Sequence, residues 1–256
     1  MRHCIPCVGL VVFLGCFSLV IVPDFDSPRE RQPIFSSTLP YIVIDPGHGG
    51  NDEGTKYYHL AEKDMTLDIA LRLEKTLRSL NFQTTLTRRD DNYVGLPDRV
   101  ALANKFEDAL FVSIHLNQSL DTTAGGVETY YASEKIPPLN DWTWVGFFSR
   151  ADVPALDNGE TLAGFIQAAL VQRMEASNRG IKGKALYVVR HTRMPAALVE
   201  AGFISNPIEN QLLRSESYRE RIANSIAEGV LNYVRSTRQP AAPGQLASFS
   251  KVGLRP

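Results

Sequence analysis

Hydrophobic positions alternate between short strand-like runs and amphipathic helical patterns from residue 41 to residue 235. Strand-like runs cover 41–45, 82–87, 109–115, 126–131, 184–190 and 196–200. Helical spacing covers 64–80, a segment opened by Pro97, 160–177 and 207–235, with Asn81 placed to cap the first helix. Strands that alternate with helices in this way predict an α/β domain whose mainly parallel sheet is covered on both faces.

Residues 132–159 interrupt the alternation between one predicted strand and the next helix. The stretch contains Pro137, Pro138 and several aromatic residues, among them Trp142 and Trp144. Connections in compact α/β domains usually take about two to six residues. We therefore expect a lid or a binding loop here, with an irregular surface loop as the alternative.

The two ends of the chain differ from the domain in composition. Arg2 and His3 precede an apolar run of about nineteen residues from Cys4 to Val22, which is long enough for an export signal or a membrane span. An uncleaved anchor, a cleaved signal peptide and a lipidated Cys16 all remain open, and each sends the domain out of the cytoplasm. Residues 23–39 are typical of a linker, and residues 237–256 of a disordered tail.

Composition narrows the kinds of chemistry available to the domain at 40–236. The chain has 256 residues and a net charge of −1, which argues against nucleic-acid binding. Its three cysteines, Cys4, Cys7 and Cys16, all lie in the N-terminal segment. The domain therefore has no disulfide bonds and no thiolate nucleophile, and its stability must come from its core.

Four acid or imidazole groups lie at or near predicted strand ends: His48, Glu62, His115 and Glu200. Ligand sites in such sheets lie beyond the carboxyl ends of the strands. Two histidines and one carboxylate form a ligand set for catalytic zinc, and a second carboxylate can then act as general base. The alternative is that each group is an ordinary loop residue or is held in an ion pair.

The motifs that carry these residues resemble those of a known family. They are Asp-Pro-Gly-His-Gly-Gly at 45–50, Glu-Lys at 62–63, Ser-Ile-His-Leu-Asn at 113–117, and Val-Glu-Ala-Gly-Phe-Ile-Ser-Asn at 199–206. This ordered set, within a likeness that runs from about residue 40 to residue 235, resembles the zinc-dependent N-acetylmuramoyl-L-alanine amidases of the amidase type 3 family.

The resemblance implies a fold and a reaction. The fold is a three-layer α/β/α sandwich around a six-stranded, mostly parallel mixed sheet. His48, Glu62 and His115 would bind Zn²⁺, and Glu200 would be the catalytic base. The reaction would be hydrolysis of the amide between N-acetylmuramic acid and L-alanine in peptidoglycan, in cell-wall remodelling or daughter-cell separation.

The resemblance also bears on regulation and location. Some family members carry an inserted helix after the strand matched here by 126–131, and it covers the zinc until a partner removes it. An activator protein acting on 132–159 is therefore a hypothesis for this chain. The expected location is the periplasm or cell envelope, with membrane attachment through the N-terminal segment.

Two alternative interpretations of the sequence differ from an amidase with a single activity. Ser248 and Lys251 fit the Ser-x-x-Lys pattern of penicillin-sensitive peptidases, which would give a second activity. A non-catalytic muropeptide-binding module is the other alternative. Of the remaining side chains near the motifs, His59 is expected to be exposed, His191 to meet substrate charge at most, and Asn117 either to donate to substrate or to shape a turn.

Overall fold

The computed structural model describes residues 39–134 and 158–238. The predicted N-terminal segment at 1–22, nearly all of the linker at 23–39, and residues 135–157 of the insert lie outside the described residues. The same holds for nearly all of the tail at 237–256, with Ser248 and Lys251. Within the described ranges, none of the helices combines the length and the apolar character needed to cross a membrane.

Six strands form one mixed sheet in the order β4-β1-β5-β8-β6-β7, and β2 and β3 form a separate small hairpin. All neighbours in the large sheet run parallel except β6 and β8, which are antiparallel. The strands are β1 (Tyr41–Pro46), β2 (Lys56–Tyr57), β3 (Leu60–Ala61), β4 (Thr84–Leu86), β5 (Ala109–Asn117), β6 (Val127–Tyr131), β7 (Asn178–Gly183) and β8 (Ala196–Phe203).

Helices cover both faces of this sheet in the described part of the chain. They are α1 (Glu62–Ser79), α2 (Leu96–Ala103), α3 (Gly159–Met174), α4 (Tyr187–His191), α5 (Pro207–Leu213) and α6 (Glu216–Arg238). Asn81, just beyond α1, has a left-handed φ of 66°. This is the conformation expected of a residue that ends a helix, so the predicted cap is confirmed.

Helices cover one face of the sheet more extensively than the other. The long helices α1, α3 and α6 bury one face in a large apolar cluster that includes Leu73, Ile166 and Ile222. Helix α6 approaches α3 closely at Gly229, where an added Cβ would lie 2.5 Å from the Cα of Ile166. The short helices α2 and α4 cover the other face through a smaller cluster that contains Phe111. The three-layer α/β/α prediction is confirmed, and the thinly covered face has room for a site.

The predicted strand at 184–190 is wrong. The strand is β7, at 178–183, and residues 187–191 form the single helical turn α4. The apolar residues Val188 and Val189 of α4 are buried against the thinly covered face, whereas β7 is mostly polar and exposed or half-buried at the edge of the sheet. A short apolar run does not distinguish one buried helical turn from a buried strand, which explains the error.

Candidate active site

The first candidate ligand, His48, lies on the loop that follows β1. Its φ is 60°, and Gly49 and Gly50 continue the loop at φ 126° and 60°. A left-handed conformation costs a non-glycine residue about 1–2 kcal/mol, so this one must be held by its surroundings.

Two buried arginines hold the loop by its carbonyl oxygens. Arg99 donates to the carbonyls of Pro46 and His48, both at 2.6 Å. Arg88 donates to the carbonyl of Gly47 at 2.7 Å. Both arginines are at most 4% exposed. They satisfy carbonyl groups at and just beyond the end of β1, and they fix the direction in which the His48 side chain leaves the backbone.

The charge of Arg99 is balanced by Asp45, near the end of β1. The two side chains form an ion pair at 2.7 Å in which both partners are at most 3% exposed. Ser113 and Thr87 donate further hydrogen bonds to the Asp45 carboxylate, at 2.8 and 2.6 Å. A buried ion pair of this kind is stable only when its other hydrogen-bonding positions are filled, and here they are.

The second candidate ligand, Glu62, is the first residue of α1 and lies between the two histidines. Its Oε1 is 3.1 Å from His48 Nε2 and 3.0 Å from His115 Nδ1, and its Oε2 accepts from the backbone N–H of Thr55 at 2.9 Å. Burial alone would raise the pKa of Glu62, but hydrogen bonds from His115 and His48 outweigh it and hold that pKa far below its ordinary value. Glu62 is therefore ionised.

The two histidines are oriented by close neighbours. His48 Nδ1 is 2.9 Å from Asp52 Oδ1, which directs Nε2 towards Glu62. Burial would lower the pKa of His48, but hydrogen bonds and charges from Glu62 and Asp52 raise it overall. Gly47 leaves room for the His115 ring, since a Cβ there would lie 2.4 Å from it.

Among the described residues, His48, Glu62 and His115 form a cluster that could hold a metal ion, and one donor atom from each lies within 4.8 Å of the others. The rings of His48 and His115 meet at 77° with centroids 4.9 Å apart. Two imidazole nitrogens and one carboxylate oxygen are the donors that catalytic zinc takes, with its fourth position open. The residues present therefore fit a zinc ion.

Glu200 lies on β8 directly opposite His115 on β5. Its Oε2 is buried and has no hydrogen-bond partner among residues 39–134 and 158–238. Burial raises the pKa of Glu200 to about 7, helped by the charges of Glu62 and Glu128 and opposed by those of His115 and His48. A carboxylate with that pKa can exchange a proton near neutrality, which suits a general base.

The other residues considered from sequence do not join this cluster. His59 is exposed in the turn of the β2–β3 hairpin, as expected, and His191 ends α4. The Asn117 amide donates to Glu128 at 2.7 Å, which favours its structural role over donation to substrate. Glu128 itself, opposite Glu200 on the β6–β8 pair, was not recognised from sequence.

Comparison with known proteins assigns the chain to a family. Residues 42–232 match the model of the N-acetylmuramoyl-L-alanine amidases. The chain belongs to this family. LytC, an N-acetylmuramoyl-L-alanine amidase of Bacillus subtilis, is 33% identical over 205 residues, which are 80% of this chain but 37% of LytC.

Solved structures give the same assignment. The N-acetylmuramoyl-L-alanine amidase of Clostridium difficile 630 is 36% identical with a TM-score of 0.68, and the match covers 78% of this chain and 99% of that one. The CwlD amidase of Clostridioides difficile, solved in complex with the GerS lipoprotein, is 28% identical with a TM-score of 0.65 and coverage of 77% and 99%. The predicted family, fold class and enzyme class are confirmed. The roles of the four site residues remain predictions.

Proposed function

We propose that this amidase hydrolyses the amide between N-acetylmuramic acid and the L-alanine of the peptidoglycan stem peptide, with Zn²⁺ bound by His48, Glu62 and His115 and with Glu200 as base. The observation that carries the proposal is the convergence of three donor atoms within 4.8 Å, beside a carboxylate whose buried oxygen has no partner among the described residues. Similarity to characterised amidases supplies the substrate class.

The His₂Glu set leaves a bound zinc ion with a net charge of about +1, so the ion would polarise the amide carbonyl and make water more acidic. The chain's own residues prepare the set for this. Glu62 is ionised because both histidines donate towards it. Asp52 accepts from His48 Nδ1, so Nε2, which donates to Glu62 here, is the nitrogen that would lose its proton and bind the zinc ion.

Glu200 moves the proton in this mechanism. Its carboxylate accepts a proton from the attacking water, whose oxygen adds to the amide carbonyl carbon. The protonated carboxyl then donates that proton to the nitrogen of L-alanine as the carbon–nitrogen bond breaks. Burial raises the pKa of Glu200, which strengthens the affinity of its carboxylate for the proton that it takes from water.

Peptidoglycan lies outside the cytoplasm, so the proposed substrate also implies a cellular location for the enzyme. We propose that the enzyme works in the cell envelope, in wall remodelling or cell separation, with residues 1–22 as its signal or anchor. CwlD was solved in complex with a lipoprotein. By analogy, we propose that a partner protein regulates this chain through the segment 132–159.

The proposal is tested by incubating the purified protein with muropeptides and measuring release of free stem peptide that begins at L-alanine. Release should stop with a chelator, return with added zinc, and fall at least about a hundredfold in Glu200→Gln, since a general base contributes roughly 10²–10⁴ and the amide cannot replace it. Zinc content should be unchanged in Glu200→Gln and lost in Glu62→Gln.

The control separates a lost base from a lost fold. Arg173→Met removes an exposed arginine that pairs with Glu228 between α3 and α6, the helices on the other face of the sheet, and should leave release unchanged. Binding of muropeptide by the zinc-loaded wild type without any release would contradict the amidase and favour the binding module. Release that persists in Glu200→Gln would contradict the role of the base.

A further inference from the structure

A cluster of cationic side chains lies at the β7 edge of the sheet, two strands away from Glu200 on β8. His115, Glu200 and Glu128 are paired in register on the neighbouring strands β5, β8 and β6, so their side chains leave the same face. The next strand, β7, pairs Lys182 with Tyr130 of β6. The sheet thus carries one row of charged groups from the proposed metal site to its edge.

Glu128 anchors the near side of this cluster. It is 2% exposed and accepts hydrogen bonds from Asn117 at 2.7 Å, from Tyr130 and from Lys182. Arg179 contributes a weaker contact at 3.4 Å. The carboxylate is therefore saturated by its donors and holds Lys182 in a defined position on the edge strand.

The cations outnumber the carboxylates at this edge of the sheet. Arg179 and Lys182 lie on β7, and Lys184 directly follows it. In the described ranges, Glu128 is the one carboxylate within ion-pair distance of any of them. Lys184 is exposed, donates to the Tyr130 hydroxyl at 3.3 Å, and lies 4.3 Å from the centre of the Tyr130 ring. Arg179 stacks over Phe203 at 4.8 Å. Neighbouring side chains thus position Lys184 and Arg179, and the single negative charge of Glu128 cannot balance all three cations.

The distance from Glu200 indicates which part of a substrate would reach these cations. Adjacent strands lie about 4.8 Å apart, so β7 lies about 10 Å from β8 across β6. An extended peptide advances about 3.4 Å per residue. A stem peptide whose first amide lies at Glu200 would therefore bring its second or third residue to β7. A free carboxylate at either residue would be attracted by these cations, whereas an amidated one carries no charge.

We propose that Arg179, Lys182 and Lys184 form a subsite for a carboxylate at the second or third residue of the stem peptide. The cations make the amidase prefer stems whose carboxylate is free over stems in which it is amidated. This inference rests on the proposed function, because it takes the first amide of the stem to lie at Glu200.

The test compares two muropeptides that differ only in whether the carboxylate of the second residue is free or amidated, with a second pair that differs at the third residue. Lys184→Met is the first variant, since Lys184 is exposed and its loss leaves Glu128 fully bonded. We expect KM for the free-carboxylate form to rise about tenfold with kcat nearly unchanged, and both constants for the amidated form to stay within about twofold. Arg179→Met should act in the same direction.

Lys105→Met is the matched control, because Lys105 is an exposed lysine before β5, at the opposite end of that strand from His115. It should change neither substrate. Equal effects of Lys184→Met and Arg179→Met on the free and amidated forms of both pairs, or no effect on either form, would overturn the subsite.

A binding measurement separates this inference from the proposed function. Calorimetric titration of Glu200→Gln with the same muropeptides should show tighter binding of the free carboxylate form, with the preference reduced about tenfold by Lys184→Met. A wild type that cleaves neither muropeptide but keeps this preference would overturn the amidase proposal and leave the subsite standing. Cleavage of both muropeptides without any preference would overturn the subsite and leave the amidase proposal standing.

Discussion

Replacing Arg99 by methionine tests whether the buried ion pair holds the His48 loop. The substitution keeps most of the side-chain length but removes the charge that faces Asp45 at 2.7 Å. It also removes the donors to the carbonyls of Pro46, His48 and Val94. Asp45 would keep its hydrogen bonds from Ser113 and Thr87 but lose its only ion-pair partner within the described residues.

The expected cost follows from burial. Removing one partner of a buried ion pair costs about 3–5 kcal/mol, because the other charge stays buried without compensation. Asp45 and Arg99 are 1% and 3% exposed, so solvent cannot replace the lost partner. The lost carbonyl contacts act in the same direction, since each buried polar group left unsatisfied costs about 1–3 kcal/mol. We therefore expect the free energy of unfolding to fall by at least 3 kcal/mol.

Urea denaturation followed by circular dichroism measures this change, and chelator competition measures zinc affinity in the variant. The matched control is Arg173→Met, because the Arg173–Glu228 pair is exposed and such pairs contribute about 0–1 kcal/mol. Zinc affinity should also fall in Arg99→Met, since His48 loses the contact to its carbonyl. A loss of stability no larger than that of Arg173→Met would refute the reasoning. The double variant with Asp45→Asn should recover part of the loss, as no unpaired charge would remain.

Three further predictions concern the ligands and a distant ion pair. Gly47→Ala should lower zinc affinity at least tenfold in chelator competition, because its Cβ would lie 2.4 Å from the His115 ring, whereas Gly164→Ala, with open space around its Cβ, should leave affinity unchanged and stabilise α3 by up to about 1 kcal/mol. Zinc should raise the melting temperature of the wild type but not of Glu62→Gln, because a ligand stabilises only a protein that binds it. Burial would raise the pKa of Asp68, but hydrogen bonds from two arginines lower it overall, so its stabilising effect is present above pH 3.8 and is lost as the pH falls towards the lowered pKa. The stability difference between the wild type and Asp68→Asn in urea should therefore be full near pH 6 and shrink below pH 3.8, and a difference independent of pH would contradict the assignment.

Local patterns in the sequence were sufficient for most of the fold. The spacing of Leu73 and Leu77 predicts α1 because the same residues face the sheet, and the left-handed Asn81 ends that helix as expected. The reversed direction of β6, which β7 shares, could not be predicted in this way. The direction of β6 depends on pairing with β8, about seventy residues later in the chain, and a strand's own side chains do not encode the direction of its neighbours.

Some residues of the candidate site could likewise be predicted from the sequence, and others could not. His48, His115 and Glu200 were found because each closes a strand-like run within a recognisable motif. Arg99, Asp52 and Glu128 were missed as parts of the site, since each acts on another residue rather than ending a strand beside the cluster. Arg99 contacts Asp45 across 54 positions of sequence, and a single sequence gives no sign of that pairing.

The unequal covering of the sheet explains why these side chains can be functional without unfolding the protein. The long helices α1, α3 and α6 bury one face in the larger apolar cluster, so that face carries most of the stability from apolar burial. The opposite face, under α2 and α4, holds buried charges: the Asp45–Arg99 pair, Glu128 with its donors, and Glu200 with an unpaired oxygen. Each buried charge costs free energy unless it is paired, and all but Glu200 are paired within the described chain. Among the described residues Glu200 is therefore the buried acid left available to water and substrate, as the proposed role of general base requires.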